Sequence, residues 1–544
     1  MHPLSPSAHV DTFARDHLPP AHEWPELDLP GAEHPDRLNA AVELLDTTIA
    51  RFGTDRPCLR DGHGATLSYG EVLDRVNRLA TTLVTDLGIV PGNRILLRGP
   101  NNPALALCWL AALRVGAVVV TTMPQLRRHE LRVAAETSAA RLALCDGRYT
   151  EDLVAAGVEG LRVVTYGSES AELEELARHR PADFTPVATA ADDVAMIAFT
   201  SGTSGRPKAT MHFHRDVLAI ADTFSAHVLR PRPDDVFAGS PPLAFTFGLG
   251  GLLVFPLRAG ACAVLLERAT PDELFGAVSR LGVTVLFTAP TAYRAALSSP
   301  DGYDLGGLRR CVSAGEALPA DTWHRFHDAT GLRIIDGIGA TEMLHIFIAA
   351  ADDDIRPGST GRPVPGYTAV VVDEDGGPVP DGVAGRLAVR GPTGCRYLAD
   401  DRQRDYVRAG WNLTGDTYVR DADGYFWYQA RSDDMIVSSG YNIAAPEVET
   451  ALQRHPDVAE CAVVGVPDLD RGMLVKAYVV LTAGVAGSPD LVAALQDFVK
   501  HEIAPYKYPR AVEFVDRLPR TATGKLQRAL LPERLTARRS TAVS

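Results

Sequence analysis

The sequence predicts an α/β protein: a large N-terminal domain of layered, mostly parallel α/β sheets with a small antiparallel β subdomain, and a small C-terminal α+β domain. The 544 residues are too many for one hydrophobic core, so several domains are expected. From about residue 70 to 300, short apolar strand segments alternate with helical segments, which is typical of a parallel sheet covered on both faces. After residue 366 the pattern changes to strands separated by Gly, Pro and Asp turns.

The N-terminal alternation can be followed segment by segment. Helices are predicted where apolar residues recur at helical spacing, in YGEVLDRVNRLATTLVTDL (69–87), PALALCWLAALRVG (103–116) and HELRVAAETSAA (129–140). Strands are predicted at RILLRG (94–99), AVVVTTM (117–123), RLALCD (141–146), LRVVTYG (161–167), VAMIAFT (194–200), DDVFAGSPP (234–242), ACAVLLE (261–267) and VTVLFTAP (283–290). Because ligands bind beyond the carboxyl ends of such strands, the loops that follow them are the candidate sites.

Two smaller units follow. The β-rich subdomain is predicted at about 366–430, where GWNLTGDTYVRDADGYFWYQAR (410–431) has the pattern of a hairpin with the turn DADG. A new α/β pattern begins after residues 431–434, starting with the helical segment APEVETALQRH (445–455). We therefore expect a large domain over 1–432 and a small one over 433–544, which is long enough to fold by itself.

Composition excludes several classes of function. A net charge of −14 argues against a nucleic-acid-binding protein, which would present a basic surface. The seven Cys are scattered singly, which favours neither a zinc site nor a disulfide framework. The N-terminus lacks the pattern of a signal peptide, and no apolar stretch is long enough to span a membrane. We therefore expect a cytoplasmic protein with no membrane partner.

The stretch AFTSGTSGRPKATMHFHRD (198–216) points to phosphate binding. Small hydroxylated residues and glycines surround Lys208 directly after a predicted strand. The chain has only five lysines, so a lysine in such a loop is a candidate functional residue. The Walker A pattern does not fit, because Pro207 precedes Lys208 and Ala209 follows it. His212 and His214 are interpreted as structural residues rather than a metal pair.

The segment TSGTSGRPK (200–208) resembles the phosphate loop of the adenylate-forming enzymes, which include acyl- and aryl-CoA ligases, luciferases and peptide-synthetase adenylation domains. Further segments resemble motifs of that family in the same order. They are SAGEAL (313–318), DGIGATEMLH (336–345), GRLAVRGP (385–392), WNLTGD (411–416), RSDDMIVSSGYNIAAPEVE (431–449) and PRTATGKLQR (519–528). The sequence departs from the pattern at Ala209, where many relatives have Gly, at Ser204, and at Gly337–Ile338, where many have an aromatic residue.

The resemblance implies that a carboxylate attacks the α-phosphate of ATP, which forms an acyl-adenylate and releases pyrophosphate. Lys525 is then the expected catalytic cation on a mobile small domain that rotates about Asp433, after which Gly440 lines a thiol tunnel. Thr341 is expected at the α-phosphate, and Glu342 is expected to bind Mg²⁺, which prefers carboxylate and phosphate oxygens. Lys208 is expected to assist electrostatically. The residues assigned to ATP are Thr200, Ser201, Gly202, Thr203, Ser204, Gly205, Gly315, Glu316, Ala317, Asp336, Gly337, Ile338, Asp416 and Arg431.

The predicted acyl pocket is short and aromatic, which suits a flat ring better than a long alkyl chain. Its expected lining residues are Ala244, Phe245, Phe247, Tyr293, Gly339, His345 and Ile346. The segments PPLAFTFGLGG (241–251) and GATEMLHIF (339–347) resemble the benzoate–CoA ligase branch, and most of all the 2-aminobenzoate–CoA ligases. The resemblance therefore implies an aryl-CoA ligase that uses ATP, Mg²⁺ and CoA.

Alternative functions keep the same ATP motifs. The adenylate could pass to a carrier-protein thiol, or the nucleotide could activate nitrite for diazotisation of an aromatic amine. A non-catalytic binding protein is disfavoured by the presence of Lys525, Glu342 and Asp416. A dehydrogenase is disfavoured because no Gly-x-Gly-x-x-Gly follows an early strand. A homodimer is expected from base rates alone.

Overall fold

The computed structural model describes residues 4–27, 34–167, 171–200, 207–297, 302–431, 435–519 and 528–531. Contacts divide the chain into two compact units. The first unit contains the described residues up to 431, apart from Gln125–Leu131 and Pro207. The second unit contains Gln125–Leu131, Pro207 and the described residues from 435 onward.

The first unit contains three sheets. Their strands are β1 (Pro57–Asp61), β2 (Thr66–Ser68), β3 (Arg94–Arg98), β4 (Val118–Thr122), β5 (Leu142–Asp146), β6 (Arg162–Tyr166), β7 (Val194–Thr200), β8 (Lys208–Phe213), β9 (Val236–Gly239), β10 (Cys262–Leu265), β11 (Val285–Thr288), β12 (Arg310–Ser313), β13 (Ile334–Gly339), β14 (Ile346–Ala349), β15 (Arg362–Pro363), β16 (Thr368–Val372), β17 (Ala384–Arg390), β18 (Val407–Arg408), β19 (Trp411–Arg420) and β20 (Phe426–Arg431).

The first sheet has the order β6-β5-β3-β4-β7-β8. Its strands run parallel except for β8, which is antiparallel to β7. The last pair of this ladder joins Thr200 to Lys208. The two ends of the predicted phosphate loop therefore lie side by side at the carboxyl end of β7.

The second sheet has the order β15-β14-β13-β12-β11-β9-β10-β1-β2. Its central strands, from β13 to β1 in that order, are parallel, and antiparallel strands close both edges. The third sheet is antiparallel, with the order β16-β17-β19-β18 and β20 beside β19. These sheets confirm the predicted α/β class, including the hairpin of β19 and β20.

Helices connect and cover the sheets of the first unit. They are α1 (Phe13–Asp16), α2 (Ala40–Leu44), α3 (Asp46–Phe52), α4 (Tyr69–Thr85), α5 (Pro103–Arg114), α6 (Arg128–Thr137), α7 (Thr150–Ala155), α8 (Glu172–Ala177), α9 (His214–Ile220), α10 (Thr246–Leu249), α11 (Phe255–Ala259), α12 (Pro271–Leu281), α13 (Pro290–Leu297), α14 (Ala320–Thr330) and α15 (Gln403–Tyr406), of which α6 begins among the residues grouped with the second unit.

Local sequence explains where several helices begin. A reciprocal capping box of Ser68 and Glu71 starts α4, and one of Thr270 and Glu273 starts α12. Two helices also contain π-helical turns, at Ala221–Leu229 after α9 and at Gly250–Val254 between α10 and α11. Such turns are rare and are frequent at functional sites.

The second unit contains a separate sheet and core. Its elements are β21 (Met435–Ser438), β22 (Tyr441–Ala444), α16 (Ala445–Leu452), β23 (Val458–Asp468), β24 (Gly472–Leu481), α17 (Pro489–Glu502) and β25 (Ala511–Phe514). The sheet order is β22-β21-β24-β23, with β25 parallel to β24. Its strands and helices enclose an apolar core of their own.

The second sheet of the first unit separates two hydrophobic cores. Val285 and Phe287 of β11 face the larger core, whereas Leu286 between them faces the smaller one. This alternation follows from the two-residue period of a strand. Among the described residues, no helix is long and apolar enough to cross a membrane.

Candidate active site

The predicted site residues follow the carboxyl ends of neighbouring parallel strands in the second sheet. Ala244, Phe245 and Phe247 follow β9, residues 315–317 follow β12, and Thr341 and Glu342 follow β13. This is the edge at which ligands bind in α/β sheets. Topology therefore brings segments that are far apart in the sequence to one edge.

Thr341 begins a single 3₁₀ turn, Thr341–Met343, and the backbone of this turn is hydrogen-bonded to a side chain of β8. The Nε2 atom of His212 lies 2.9 Å from the carbonyl oxygen of Thr341. Because a carbonyl only accepts, Nε2 carries the proton and donates. Burial lowers the pKa of His212 to about 4, so the imidazole is neutral at pH 7. His212 is therefore structural, as predicted, and it supports the turn that presents Thr341.

The carboxylate of Glu342 is almost fully buried, and its polar contacts with described residues are made by the Oε1 atom. The hydroxyl of Tyr397 donates a 2.5 Å hydrogen bond to its Oε1 atom. The Nζ atom of Lys208 lies 3.5 Å from the same oxygen and above the rings of Tyr397 and Tyr406, at 4.9 and 5.6 Å from their centroids. Two predicted site residues, Lys208 and Glu342, are thus brought together, and the two tyrosines were not predicted.

The donor set around Glu342 fits a magnesium ion that is bound mainly by nucleotide phosphates. Within the described part of the chain, no group of three or more His, Cys, Asp or Glu side chains could hold a metal. Mg²⁺ commonly takes one or two carboxylates and completes its shell with water and substrate phosphates. None of the described residues donates to the Oε2 atom of Glu342, so that oxygen is available as a ligand.

The described residues that are predicted to bind the nucleotide lie on all three sheets of the first unit, with Thr200 at the end of β7 in the first sheet. Gly315, Glu316 and Ala317 form the turn after β12, and Glu316 lies 3.9 Å from the guanidinium of Arg294. Gly315 has a φ of +89°, a conformation that favours glycine. On the third sheet, Asp416 and Arg431 are directly opposite each other on β19 and β20. These two residues, 15 apart in the sequence, are therefore neighbours.

Asp336, Gly337 and Ile338 lie on β13, next to this turn. Burial raises the pKa of Asp336 to about 8, so its side chain is a neutral acid at pH 7. A Cβ atom on Gly337 would approach the side chain of Ile346 to 2.8 Å, so this position has no room for a side chain without a shift. A larger residue at position 337 would therefore require Ile346 to move.

The predicted acyl pocket is centred on His345. Its imidazole is buried, with the ring of Phe247 5.7 Å away between centroids. Gly339 and Ile346 are cross-strand neighbours on β13 and β14. The main-chain carbonyl of Ala244 accepts a hydrogen bond from Thr121, 3.0 Å away. The residue Phe245 precedes α10 and remains partly exposed.

Three aromatic rings that were not predicted complete the surroundings of His345. Ring centroids of Phe255, Phe224 and Phe287 lie 4.6, 5.3 and 6.4 Å from that of His345. Burial lowers the pKa of His345 to about 3, and neither ring nitrogen makes a hydrogen bond of normal geometry to a described residue. The site is thus an aromatic cage around a neutral imidazole whose polar contact with the main chain of Phe247 is weak.

The structure corrects the prediction for Tyr293. Its ring packs on Phe326 at 5.0 Å, and its hydroxyl donates to the carbonyl of Val312, 3.0 Å away. Tyr293 belongs to the smaller core, whereas His345 contacts Phe287, which belongs to the larger one. Since the two cores lie on opposite faces of the sheet, Tyr293 does not line the pocket.

Several predicted residues lie outside the described part of the chain. They are Ser201, Gly202, Thr203, Ser204, Gly205, Asp433 and Lys525. Gly440 is described and lies in the turn between β21 and β22, with a φ of +81°. The preceding Ser439 donates its N–H to the carbonyl of Arg471, 2.9 Å away. The turn that carries Gly440 is thus anchored within the second unit.

Comparisons with known proteins cover nearly the whole chain. Residues 45–397 match the family model of the AMP-binding enzymes, and residues 447–525 match that of the AMP-binding enzyme C-terminal domain. The chain is 36% identical to the benzoate–CoA ligase of Thauera aromatica over 509 residues, which are 92% of this chain and 96% of that protein.

Solved structures agree with this assignment. An anthranilate CoA ligase in complex with anthranoyl-AMP has a TM-score of 0.73 at 33% identity, covering 94% of this chain and all (100%) of that one. The amide bond synthetase McbA from Marinactinospora thermotolerans has a TM-score of 0.81 at 27% identity, covering 90% of this chain and 98% of that one. The chain therefore belongs to the AMP-binding, adenylate-forming enzymes, in their benzoate–CoA ligase-like branch.

Proposed function

We propose that this AMP-forming acid–CoA ligase activates a benzoate that carries a small polar substituent, with 2-aminobenzoate as the best candidate. The observation that carries the proposal is the position of His345, three residues after Glu342 and inside the aromatic cage. A substrate ring packed against this cage would hold its carboxylate close to the turn that presents Thr341 and Glu342. Acid recognition and acid activation would then share one loop.

In the first half-reaction, a carboxylate oxygen of the acid attacks the α-phosphorus of ATP, and the bond to pyrophosphate breaks. Negative charge grows on the phosphate oxygens, and preorganised donors lower its cost. We assign the hydroxyl of Thr341 to the α-phosphate, and the ammonium groups of Lys208 and Lys525 to the same region. Asp416 accepts from the ribose hydroxyls, and Arg431 on the neighbouring strand donates to the same sugar.

Glu342 would hold Mg²⁺ through its Oε2 atom, for which the described residues provide no donor. When bound, this ion neutralises phosphate charge and orients the leaving group. The protein's own contribution is to hold the carboxylate still and to keep it close to the phosphate loop, whose ends at Thr200 and Lys208 are paired. A pre-positioned ligand avoids the cost of ordering it at the moment of reaction.

The state of His345 supports a polar ring substituent. A buried donor or acceptor that finds no partner costs about 1–3 kcal/mol. An amino group on the substrate ring would donate to one imidazole nitrogen and remove that cost. Unsubstituted benzoate would pack against the same rings without this hydrogen bond, so discrimination of about tenfold is expected from one neutral hydrogen bond.

In the second half-reaction, the thiol of CoA attacks the acyl carbon, which forms the thioester and releases AMP. Transfer to a carrier-protein thiol and activation of nitrite remain alternatives for the second reactant. The likeness to an amide bond synthetase adds an amine to these acceptors. We keep CoA as the proposal because the chain is 36% identical to a benzoate–CoA ligase over 92% of its length. The homodimer stays a prediction, which light scattering of the purified protein would test.

One panel tests the proposal. The full chain is incubated with ATP, Mg²⁺ and each of benzoate, 2-aminobenzoate, 2-hydroxybenzoate and octanoate, and AMP release is measured with CoA, with an amine, with nitrite and with no acceptor. We expect the highest kcat/KM for 2-aminobenzoate with CoA. In the His345→Phe variant, which keeps the aromatic volume, the preference for 2-aminobenzoate over benzoate should fall about tenfold. An unchanged ratio would remove His345 from substrate recognition.

A further inference from the structure

The two carboxylate oxygens of Glu342 have different surroundings. Oε1 accepts the hydroxyl of Tyr397 at 2.5 Å and lies 3.5 Å from the ammonium of Lys208. For Oε2, the described residues provide no hydrogen-bond donor. Within the described part of the chain, the carboxylate is therefore held by one oxygen, and the other can take a ligand.

Tyr397 is held rigidly by its own segment. The carbonyl of Arg396 accepts from the N–H of Met211 at 2.7 Å, and the N–H of Leu398 donates to the carbonyl of Ala209 at 2.8 Å. The segment thus adds to the outer edge of β8. The side-chain oxygen of Gln403 accepts from the N–H of Tyr397, 2.9 Å away. The position of the phenol is set by backbone contacts on both sides of it.

The phenol and the carboxylate meet inside the protein. Tyr397 is fully buried, Glu342 is almost fully buried, and the hydroxyl donates to Oε1 at 2.5 Å. Hydrogen bonds to carboxylate oxygens are among the stronger ones in proteins. The hydroxyl thus restrains the rotation of the carboxylate.

We propose that Tyr397 is a positioning residue that fixes Oε1 of Glu342 and so presents Oε2 to the divalent cation of the nucleotide complex. The inference rests on the proposed role of Glu342 as the protein's metal ligand. Partners that orient a ligating carboxylate typically contribute 10- to 100-fold to metal affinity or activity. Tyr397 does not touch substrate or nucleotide in this role, and it acts only through Glu342.

The Tyr397→Phe variant tests the proposal because it removes the hydroxyl and keeps the ring beneath Lys208. Tyr406→Phe is the matched control, since it removes a hydroxyl from the other ring beneath the same ammonium. Two quantities are measured on the full chain. The first is the affinity for the Mn²⁺·ATP complex, from the electron paramagnetic resonance signal of free Mn²⁺. The second is the Mg²⁺ concentration that half-saturates acid-dependent pyrophosphate exchange.

We expect Tyr397→Phe to weaken Mn²⁺·ATP binding about 10- to 100-fold and to raise the half-saturating Mg²⁺ concentration by a similar factor. In Tyr397→Phe, the KM for the aromatic acid and the affinity for ATP in the presence of a chelator should stay within about twofold of wild type. In Tyr406→Phe, these two quantities and both metal-dependent quantities should stay within the same range. A merely structural role would instead lower activity without changing the metal dependence. Metal affinity in Tyr397→Phe equal to that of wild type would overturn the proposal.

A double-mutant cycle separates this inference from the proposed function. If Tyr397 acts through Glu342, adding Tyr397→Phe to Glu342→Gln should change Mn²⁺·ATP affinity by less than about twofold, because coupled residues are not additive. A Glu342→Gln variant with normal metal affinity would reject Glu342 as the ligand, and with it the proposed function of that residue. Normal metal affinity in Tyr397→Phe beside a defective Glu342→Gln would reject only the positioning role.

Discussion

Replacing Asp336 by Asn should remove a pH-dependent penalty on the stability of the first unit. Burial raises the pKa of Asp336 from 3.8 to about 8 in the folded protein. Below about pH 4 both the folded and the unfolded chain carry the proton, so there is no penalty. Between about pH 4 and pH 8 only the folded chain keeps it, so the free energy of unfolding falls as pH rises, and above about pH 8 it is constant. Since one unit of pKa corresponds to about 1.4 kcal/mol, the penalty at pH 7 is about 4 kcal/mol.

The assay is thermal unfolding of wild type and Asp336→Asn by calorimetry at pH 5, 7 and 8.5. The variant should gain about 1.4 kcal/mol over wild type for each pH unit between 5 and 7, on top of any constant offset from the new amide. Asp353→Asn is the matched control, because its side chain is 95% exposed and forms only a surface ion pair with Arg333, 2.7 Å away. An Asp336→Asn offset that is the same at all three pH values would refute the reasoning.

Three further predictions concern single side chains. Lys525→Ala should lower acid-dependent pyrophosphate exchange by orders of magnitude and leave the thiolysis of supplied acyl-AMP largely intact. Equal losses in both half-reactions would reject the predicted rotation of the small domain between them. Phe247→Ala should move the acid preference toward bulkier rings, and an unchanged profile in the acid panel would remove Phe247 from the pocket. Tyr293→Phe should lower the thermal midpoint through the loss of one buried hydrogen bond, about 1 kcal/mol, with acid selectivity unchanged; altered selectivity would return Tyr293 to the pocket.

Much of the fold could be predicted because local patterns and the parallel topology agree. Apolar strands such as VAMIAF predict β7, and the turn DADG predicts the hairpin of β19 and β20. The carboxyl ends of parallel strands share one edge of a sheet, so the predicted strands place Thr341 and Phe247 at the same edge. The pairing of Asp416 with Arg431 also follows from a hairpin whose strands are antiparallel.

The contacts around Glu342 could not be predicted because they depend on long-range packing. Tyr397 lies 55 residues after Glu342 and reaches it only because its segment adds to the edge of β8. Phe224 and Phe255 reach His345 from helices with π-helical turns, for which the sequence carries no periodic signal. A search of the sequence for aromatic residues in apolar segments would have found Phe224 and Phe255, but it would not have shown that they contact His345.

The error at Tyr293 has a geometric cause. The residue follows β11 closely, so its position in the sequence suggests the same edge as the other pocket residues. A strand gives no indication of which face the following helix covers, and α13 packs on the face of the smaller core. The prediction for Ser201 to Gly205 and for Lys525 concerns residues outside the described part of the chain, and it stays a prediction.

The most direct test of the central claim is a single-turnover measurement with 2-aminobenzoate, ATP and Mg²⁺, in which CoA is added after the adenylate has formed. The account predicts one pyrophosphate per active site before CoA, and one AMP with one 2-aminobenzoyl-CoA after it. Pyrophosphate release that does not require an aromatic acid, or AMP release that occurs only with nitrite or an amine, would contradict it.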